Sequence, residues 1–325
     1  MVTRPARGGA RVSGEAVVKV RFWGTRGSIP SPGPRTLRYG GNCSCVEIRT
    51  DSGELFIIDA GTGIRELGLH LMTQQPVEAH LFLSHTHWDH ISGFPFFPPA
   101  FVPGNRLTIY SARNIDKRLE DVMAGQMEYT YFPVTLGDLP SDIEYRELLE
   151  ESFTVGSARI STHYLNHTSI CMGYRIEADG QSVAYVSDHE PYGLALFGAD
   201  PPPDTIGRGL QDGVVHVGDR RLIEWIAGAD LLIQDTQYTP VEYPKKIGWG
   251  HGSADYVTDV AVRSGSRMLA LYHHDPLHDD DMVDEMVAYC QQRVDAQGAD
   301  VRVCGAAEGQ HIDLNEPPSW VSASA

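Results

Sequence analysis

Three imidazoles and a carboxylate crowd into His85-Thr86-His87-Trp88-Asp89-His90. The cluster follows the apolar run Ala79-His80-Leu81-Phe82-Leu83, which predicts a buried strand, so it sits where a strand ends and the chain turns. Imidazoles at i and i+2 can leave an extended segment toward one side, and the Asp and His that follow can turn back to the same point. Neutral imidazole and carboxylate are the donors that suit divalent zinc, iron or manganese. Packing does not ask for this density of His and Asp at a strand end.

A centre for two metals needs further donors, and the chain offers them in matching contexts. His167 follows the predicted strand Ala158 to Tyr164, Asp188 ends Val183 to Ser187, and His273 ends Met268 to Tyr272. Each therefore stands just past the C-terminal end of a strand, where donors from distant segments can converge on one sheet edge. The glycine-rich stretch Gly24-Thr25-Arg26-Gly27-Ser28 could cradle a phosphate through its backbone N–H groups. Arg26 and Ser28 are candidate substrate contacts there, with Arg26 equally readable as a surface charge.

The elements that must position these groups follow from periodicity. Strands are predicted at Val17 to Trp23, in a hairpin of Ser44 to Arg49 with Leu55 to Asp59, and at Arg106 to Tyr110. Further strands are Phe153 to Val155, Met172 to Glu177, Ser182 to Ser187, Leu231 to Gln234, Val301 to Cys304 and Gly309 to Leu314. Helical spacing marks Gly63 to Met72, Ile115 to Gly125, Leu222 to Ala227, Ser253 to Ser264 and Asp280 to Gln297. Strands cluster early, alternate with helices, then cluster again. The pattern predicts an α/β fold, an αββα sandwich of two packed mixed β-sheets flanked by helices. Residues 1–16 and 316–325 read as weakly ordered tails around one domain of 17–315. The Pro- and Gly-rich stretch within 190–220 reads as a loop insertion.

Among 325 residues, 26 basic against 43 acidic give a formal charge of −17, which argues against a surface built for generic nucleic-acid or membrane binding. Acidic runs such as Glu147-Leu148-Leu149-Glu150-Glu151 read as solvated faces. Five scattered cysteines, an odd number, do not form a disulfide framework, and reduced thiols in a cytoplasm are expected. No apolar secretory leader and no membrane-length apolar run occurs.

The chain resembles the metallo-β-lactamase fold superfamily, and within it the ribonuclease Z-like and cyclic-nucleotide phosphodiesterase branch. The resemblance runs from about Val17 to His278. It rests on Gly24 to Pro30, Gly41-Asn42-Cys43-Ser44, Asp59-Ala60-Gly61-Thr62-Gly63, the His85-x-His87-x-Asp89-His90 cluster, His167, Tyr185-Val186-Ser187-Asp188, Gly250-His251-Gly252-Ser253 and His273. It implies that His85, His87 and His167 hold one metal, that Asp89, His90 and His273 hold a second, and that Asp188 bridges them. Two divalent ions, zinc first with manganese or iron as alternatives, would hold a bridging hydroxide as the nucleophile. Asp89 is thus counted with the catalytic groups as well as the ligands. Asp59 supports the His loop through hydrogen bonds. His251, with Asp235 orienting it, would protonate the leaving oxygen, the logic of a tuned general acid. Ser253 is the expected N-cap of the helix after His251. His274 and His189, beside ligands, are expected to point elsewhere. Trp249, adjacent to His251, is the aromatic best placed to stack on a nucleobase.

One departure bears on the substrate. Ribonuclease Z grips transfer RNA with a long Gly/Pro-containing arm between the third and fourth metal motifs, whereas only residues 168–187 separate His167 from Asp188. With the acidic balance, this disfavours nucleic acid and favours a small-molecule phosphodiester, a 3′,5′-cyclic nucleotide at the head of the list. The alternatives are a ribonuclease Z-like RNA endonuclease, a lactone, β-lactam or thioester hydrolase on the same dimetal site, and a metal-binding sensor module without catalysis. A homodimer is expected because relatives of this kind often form one.

Overall fold

The computed structural model describes residues 18–192 and 216–314. The tails, and all but the two ends of the expected 190–220 insertion, lie outside the described residues. Two seven-stranded sheets carry the fold. The first runs in the order β14 (His311–Asp313), β1 (Lys19–Gly24), β2 (Cys45–Arg49), β3 (Leu55–Ile58), β4 (Glu78–Leu83), β5 (Arg106–Ala112), β6 (Asp142–Leu148). The second runs β13 (Arg302–Gly305), β12 (Met268–Tyr272), β11 (Leu231–Asp235), β10 (Gln181–Val186), β9 (Cys171–Ala178), β8 (Ala158–Leu165), β7 (Ser152–Val155). Each sheet is antiparallel on one side and parallel on the other, the parallel pairs being β3–β4–β5–β6 and β10–β11–β12–β13. The expected αββα sandwich is the observed one.

Burial explains the strands. β3, β10, β11 and β12 are buried at every position, as a strand covered on both faces must be. Between the sheets lie Phe22, Phe56, Phe82, Tyr174, Tyr185 and Tyr272, with Phe82 stacked on Tyr110 at 4.4 Å. Outside the first sheet, α1 (Ile64–Leu71) and α3 (Leu119–Gln126) bury Ile64, Leu67, Leu119 and Met123. Outside the second, α4 (Val217–Trp225), α5 (Ala254–Ser264) and α6 (Asp280–Ala296) bury Leu222, Val257, Val260 and Met286. The short helix α2 (Trp88–Ile91) lies within the His cluster itself.

Three expectations change. The acidic run at 147–151 begins inside a strand. β6 pairs in parallel with β5 as a mostly polar edge, and such polarity protects an edge from pairing with another chain. The helix expected from Ile115 starts at Leu119, because Ile115 is exposed and has no core to face. The helix expected from Leu222 starts earlier, at Val217, where the His216 side chain accepts from the Gly218 N–H. All five cysteines are buried free thiols. Among the described residues no helix is long and apolar enough to cross a membrane.

Truncating Phe82 to Ala removes a fully buried ring from between the sheets. The variant is expected to lose about 3–5 kcal/mol of stability, read from the urea midpoint at unchanged slope.

Candidate metal centre

The C-terminal ends of strands from both sheets deliver the functional side chains, because these strands end together at one edge. Asp59 follows β3, the His cluster follows β4, Asp188 follows β10, Asp235 ends β11, His273 follows β12, and His167 follows β8. Asp59 and His273, with Ser28, are held at positive φ (62°, 59° and 63°). Such backbone costs on the order of 1–3 kcal/mol per residue and persists where surrounding contacts over-determine it. The Asp59 and His90 loops touch closely enough that a Cβ on Gly61 would lie 2.3 Å from the Asp89 carbonyl oxygen.

Two donor sets result. His85, His87, His167 and Asp188 form one, and Asp89, His90, Asp188 and His273 the other, with ligand atoms within 4.8 Å of each other in each; an overlapping third group, Asp188, Asp235, His251 and His273, meets the same limit. Asp188 belongs to both and presents one oxygen to each. Its Oδ2 lies 3.6 Å from both His85 Nε2 and His167 Nε2, and its Oδ1 lies 3.3 Å from both His90 Nε2 and His273 Nε2. Asp89 Oδ2 lies 3.1 Å from His273 Nε2 and 3.3 Å from His90 Nε2.

The hydrogen bonds around the rings settle which nitrogen faces the centre. His90 Nδ1 donates to Asp59 Oδ2 at 2.8 Å, and His167 Nδ1 donates to the Gly250 carbonyl at 2.9 Å. Ser84 Oγ donates to Asp59 Oδ2 at 2.9 Å, so it accepts from His85 Nδ1 at 3.1 Å. Each Nε2 is thereby left as a lone pair aimed inward. His85 Nε2 is buried without a hydrogen-bond partner. His90 Nε2 and His273 Nε2 stand 3.2 Å apart, as do His167 Nε2 and His87 Nδ1. Imidazole nitrogens and carboxylate oxygens converging this closely are the arrangement a cation resolves, so the residues fit divalent metals. Burial holds the His85 imidazole well below its usual pKa, hence neutral.

Beside the two sets, His251 Nδ1 lies 2.9 Å from Asp235 Oδ2, and its ring stacks on His273 at 5.1 Å between centroids. Burial works against the imidazolium, yet the Asp235 carboxylate prevails and lifts the His251 pKa to about 9. Asp235 is fully buried and also accepts from the Gln237 N–H at 3.0 Å. The pair occupies Nδ1 and leaves Nε2 for an external partner.

A family model described as a β-lactamase superfamily domain matches residues 55–200. The chain is 28% identical over 268 residues to a ribonuclease Z of Staphylococcus carnosus, covering 79% of this chain and 80% of that one. Its fold is similar to that of the metallo-β-lactamase fold protein YhfI from Bacillus subtilis, with a TM-score of 0.63 at 18% identity over 91% of this chain and 99% of that one. It is also similar to yeast PDE1, with a TM-score of 0.61 at 13% identity over 91% and 99%. By these matches the chain is similar to the metallo-β-lactamase superfamily and, over most of its length, to ribonuclease Z. It is a metal-dependent hydrolase. Because ribonuclease Z enzymes are among its relatives, the acidic balance does not by itself set RNA aside.

Two expectations about the glycine-rich loop are corrected. Arg26 is fully buried and presents no surface to a substrate. Its Nε donates to the Gly40 carbonyl at 2.8 Å and its Nη1 to the His278 carbonyl at 2.6 Å, while Nη2 makes no hydrogen bond and lies 3.8 Å from Asp280 Oδ1. The loop offers no phosphate cradle either. The Thr25 and Arg26 amides go to the Asn42 carbonyl, that of Gly27 to the His274 carbonyl, and that of Ser28 to Asp89 Oδ2 at 2.7 Å. The loop instead steadies a ligand. Ser28 itself is exposed, and its Oγ accepts from Gln237 Nε2 at 3.2 Å. Ser253 takes the N-cap position of α5, but its hydroxyl donates to Asp255 Oδ1 rather than capping the helix.

His274 turns away to the Ala306 carbonyl, and His189 lies buried against Tyr256, so neither faces the donor sets. Trp249 is exposed, with Lys246 Nζ 4.0 Å from its ring centroid. Sequence reasoning assigned no role to Tyr185, whose hydroxyl donates to Asp59 Oδ2 at 2.6 Å, or to Glu190, which binds the loop before His251. Both sit within two or three residues of Asp188, the one signal that could have marked them.

Replacing Asp59 by Asn removes an acceptor and forces a donor against His90, Ser84 or Tyr185. Zinc affinity is expected to fall about 10–100-fold, measured by competition with a chromophoric chelator, with the fold retained by circular dichroism.

Proposed function

We propose that this chain is a dinuclear phosphodiesterase acting on a small phosphodiester, with a 3′,5′-cyclic nucleotide as its first candidate substrate. The observation that carries the proposal is the Asp188 carboxylate, one oxygen toward His85 and His167 and the other toward His90 and His273, beside the His251–Asp235 pair. In this reading His85, His87, His167 and Asp188 hold one ion, and Asp89, His90, His273 and Asp188 the other. When bound, two such ions, zinc by preference for His and Asp donors, lower the pKa of water and neutralise charge on an attacked phosphoryl group.

The chain's own residues do the rest. His251 in its protonated form gives a proton from Nε2 to the leaving oxygen. Asp235 keeps Nδ1 protonated and the ring in place, and so sets which nitrogen reacts. Asp59 and the Gly250 carbonyl fix His90 and His167 so that ligation costs no ring reorientation. Trp249, exposed and two residues before His251, is the aromatic on which a base can stack, with the exposed Ser28 as a further contact. The homodimer, and the cytoplasm favoured by five free buried thiols, belong to the same proposal.

A small substrate is favoured by residues 168–187, which form the β9–β10 hairpin and leave no arm between His167 and Asp188. The second reading, an RNA endonuclease, is favoured by the ribonuclease Z relatives. One panel separates them: cyclic mononucleotides, bis(p-nitrophenyl) phosphate, a precursor transfer RNA and a lactone, each with zinc and with manganese. Turnover of the cyclic nucleotides and the aryl diester is expected. Cleavage of the RNA alone would select the second reading, and lactone opening without diester turnover would remove both. His251→Ala is expected to lower kcat about 10²–10⁴-fold on a nucleoside leaving group, and far less on p-nitrophenolate, which leaves without a proton.

A further inference from the structure

Glu190 belongs to neither donor set, yet it is 2% exposed and its carboxylate is fully engaged. Oε1 accepts from the Tyr243 hydroxyl at 3.0 Å and from the Gly248 N–H at 2.7 Å, and Oε2 accepts from the Gly250 N–H at 2.9 Å. Its main chain is tied elsewhere. The Glu190 N–H donates to the Asn166 carbonyl at 2.8 Å, and Asn166 Nδ2 donates to the Glu190 carbonyl at 2.9 Å. One residue thus fastens the loop ahead of His251 to the loop that carries His167.

The connection closes at Gly250. Its N–H goes to Glu190 and its carbonyl accepts from His167 Nδ1. It sits at φ +87°, and a Cβ there would lie 2.3 Å from His167 Nδ1. Main chain therefore lies directly against the imidazole, with His251 the next residue. Wherever Glu190 holds Gly250, His167 and His251 follow.

We propose that Glu190 is a positioning residue that acts through Gly250 to set the ring of His167 and the place of His251 together. The proposal rests on the reading of His167 as a ligand and His251 as the acid. A carboxylate is required because three donors converge on two oxygens. Glutamine in the same place turns an NH₂ toward at least one of them, and alanine leaves all three buried without an acceptor.

The test titrates zinc alone into the metal-free chain under chelator competition. The native chain is expected to bind two ions. Glu190→Gln is expected to weaken one of them about 10–100-fold and leave the other at native affinity, because only His167 touches Gly250. Its kcat should fall more on a nucleoside leaving group than on p-nitrophenolate, at little change in KM, because His251 is displaced too. Tyr243→Phe removes a single donor, keeps every main-chain contact, and should weaken the same ion several-fold at an unchanged melting temperature. Two ions bound at native affinity in both variants would overturn the role of Glu190 while leaving the dinuclear site standing. An equal loss at both ions with a lowered melting temperature would mean general loop stability and would overturn it as well. Fewer than two ions on the native chain would bring down the underlying reading and this proposal with it.

Discussion

A carboxylate with no exposed surface holds this architecture to its chemistry. Asp59 accepts from the Ser84 N–H, the Ser84 hydroxyl, His90 Nδ1 and the Tyr185 hydroxyl, at 2.7, 2.9, 2.8 and 2.6 Å. Three of these donors belong to the turn after β4, and the fourth comes from β10 in the opposite sheet. An ion buried this deeply is tolerated only when its lone pairs are filled, and here filling them defines the His loop. The positive φ at Asp59 turns the chain out of β3 to make the arrangement possible. Its donors include groups beside both donor sets, since Ser84 touches His85 and His90 alike. The two halves of the centre therefore share one anchor.

The same end of the sandwich is stapled by tyrosines. Tyr174 donates to the Leu83 carbonyl at 2.6 Å and Tyr272 to the Gly24 carbonyl at 2.7 Å, with Tyr185 between them on Asp59. All three rings lie in the core between the sheets, and each hydroxyl crosses to the first sheet. A buried tyrosine needs such a partner, so apolar burial and cross-sheet register are met by one side chain. The candidate ligands come from both sheets, His85, His87, Asp89 and His90 from the first and His167, Asp188 and His273 from the second. Their distances depend on how the sheets sit against each other, and the tyrosines fix that within one turn of the ligands.

Much of this was legible because ligand chemistry has a narrow vocabulary. His and Asp just past apolar runs could be read without coordinates, and every expected ligand falls in one of the two donor sets. The strands were legible because both faces of β10, β11 and β12 are buried and each carries an apolar run, at 183–186, 231–233 and 268–272. β6 was not, because an edge strand facing solvent has the composition of a loop. The glycine-rich loop misled for a related reason. Its residue types suit an anion cradle, but the fold commits its amides to the Asn42 carbonyl, the His274 carbonyl and Asp89. Arg26 misled likewise, since a buried guanidinium and an exposed one are spelled alike. Glu190 and Tyr185 act through hydrogen bonds to segments far away in sequence, and no local pattern encodes those.

The electrostatics of the centre complete the argument for which ligand it attracts. Asp89 and Asp188 line the site, with Asp235 behind His251, in a chain whose formal charge is −17. Arg26, the guanidinium nearest in sequence to the site loops, is bound to main-chain carbonyls and cannot face a substrate. Lys246 is held over Trp249 rather than over the donor sets. Side chains alone would thus repel a phosphodiester. Two divalent ions against the two liganding carboxylates would leave net positive charge at one point, focused by the low-dielectric sheet edges around it. Attraction for an anion would then be local and conditional on metal, which suits a phosphate group set into the edge. A long polyanion would also have to lie along the acidic surface beyond it.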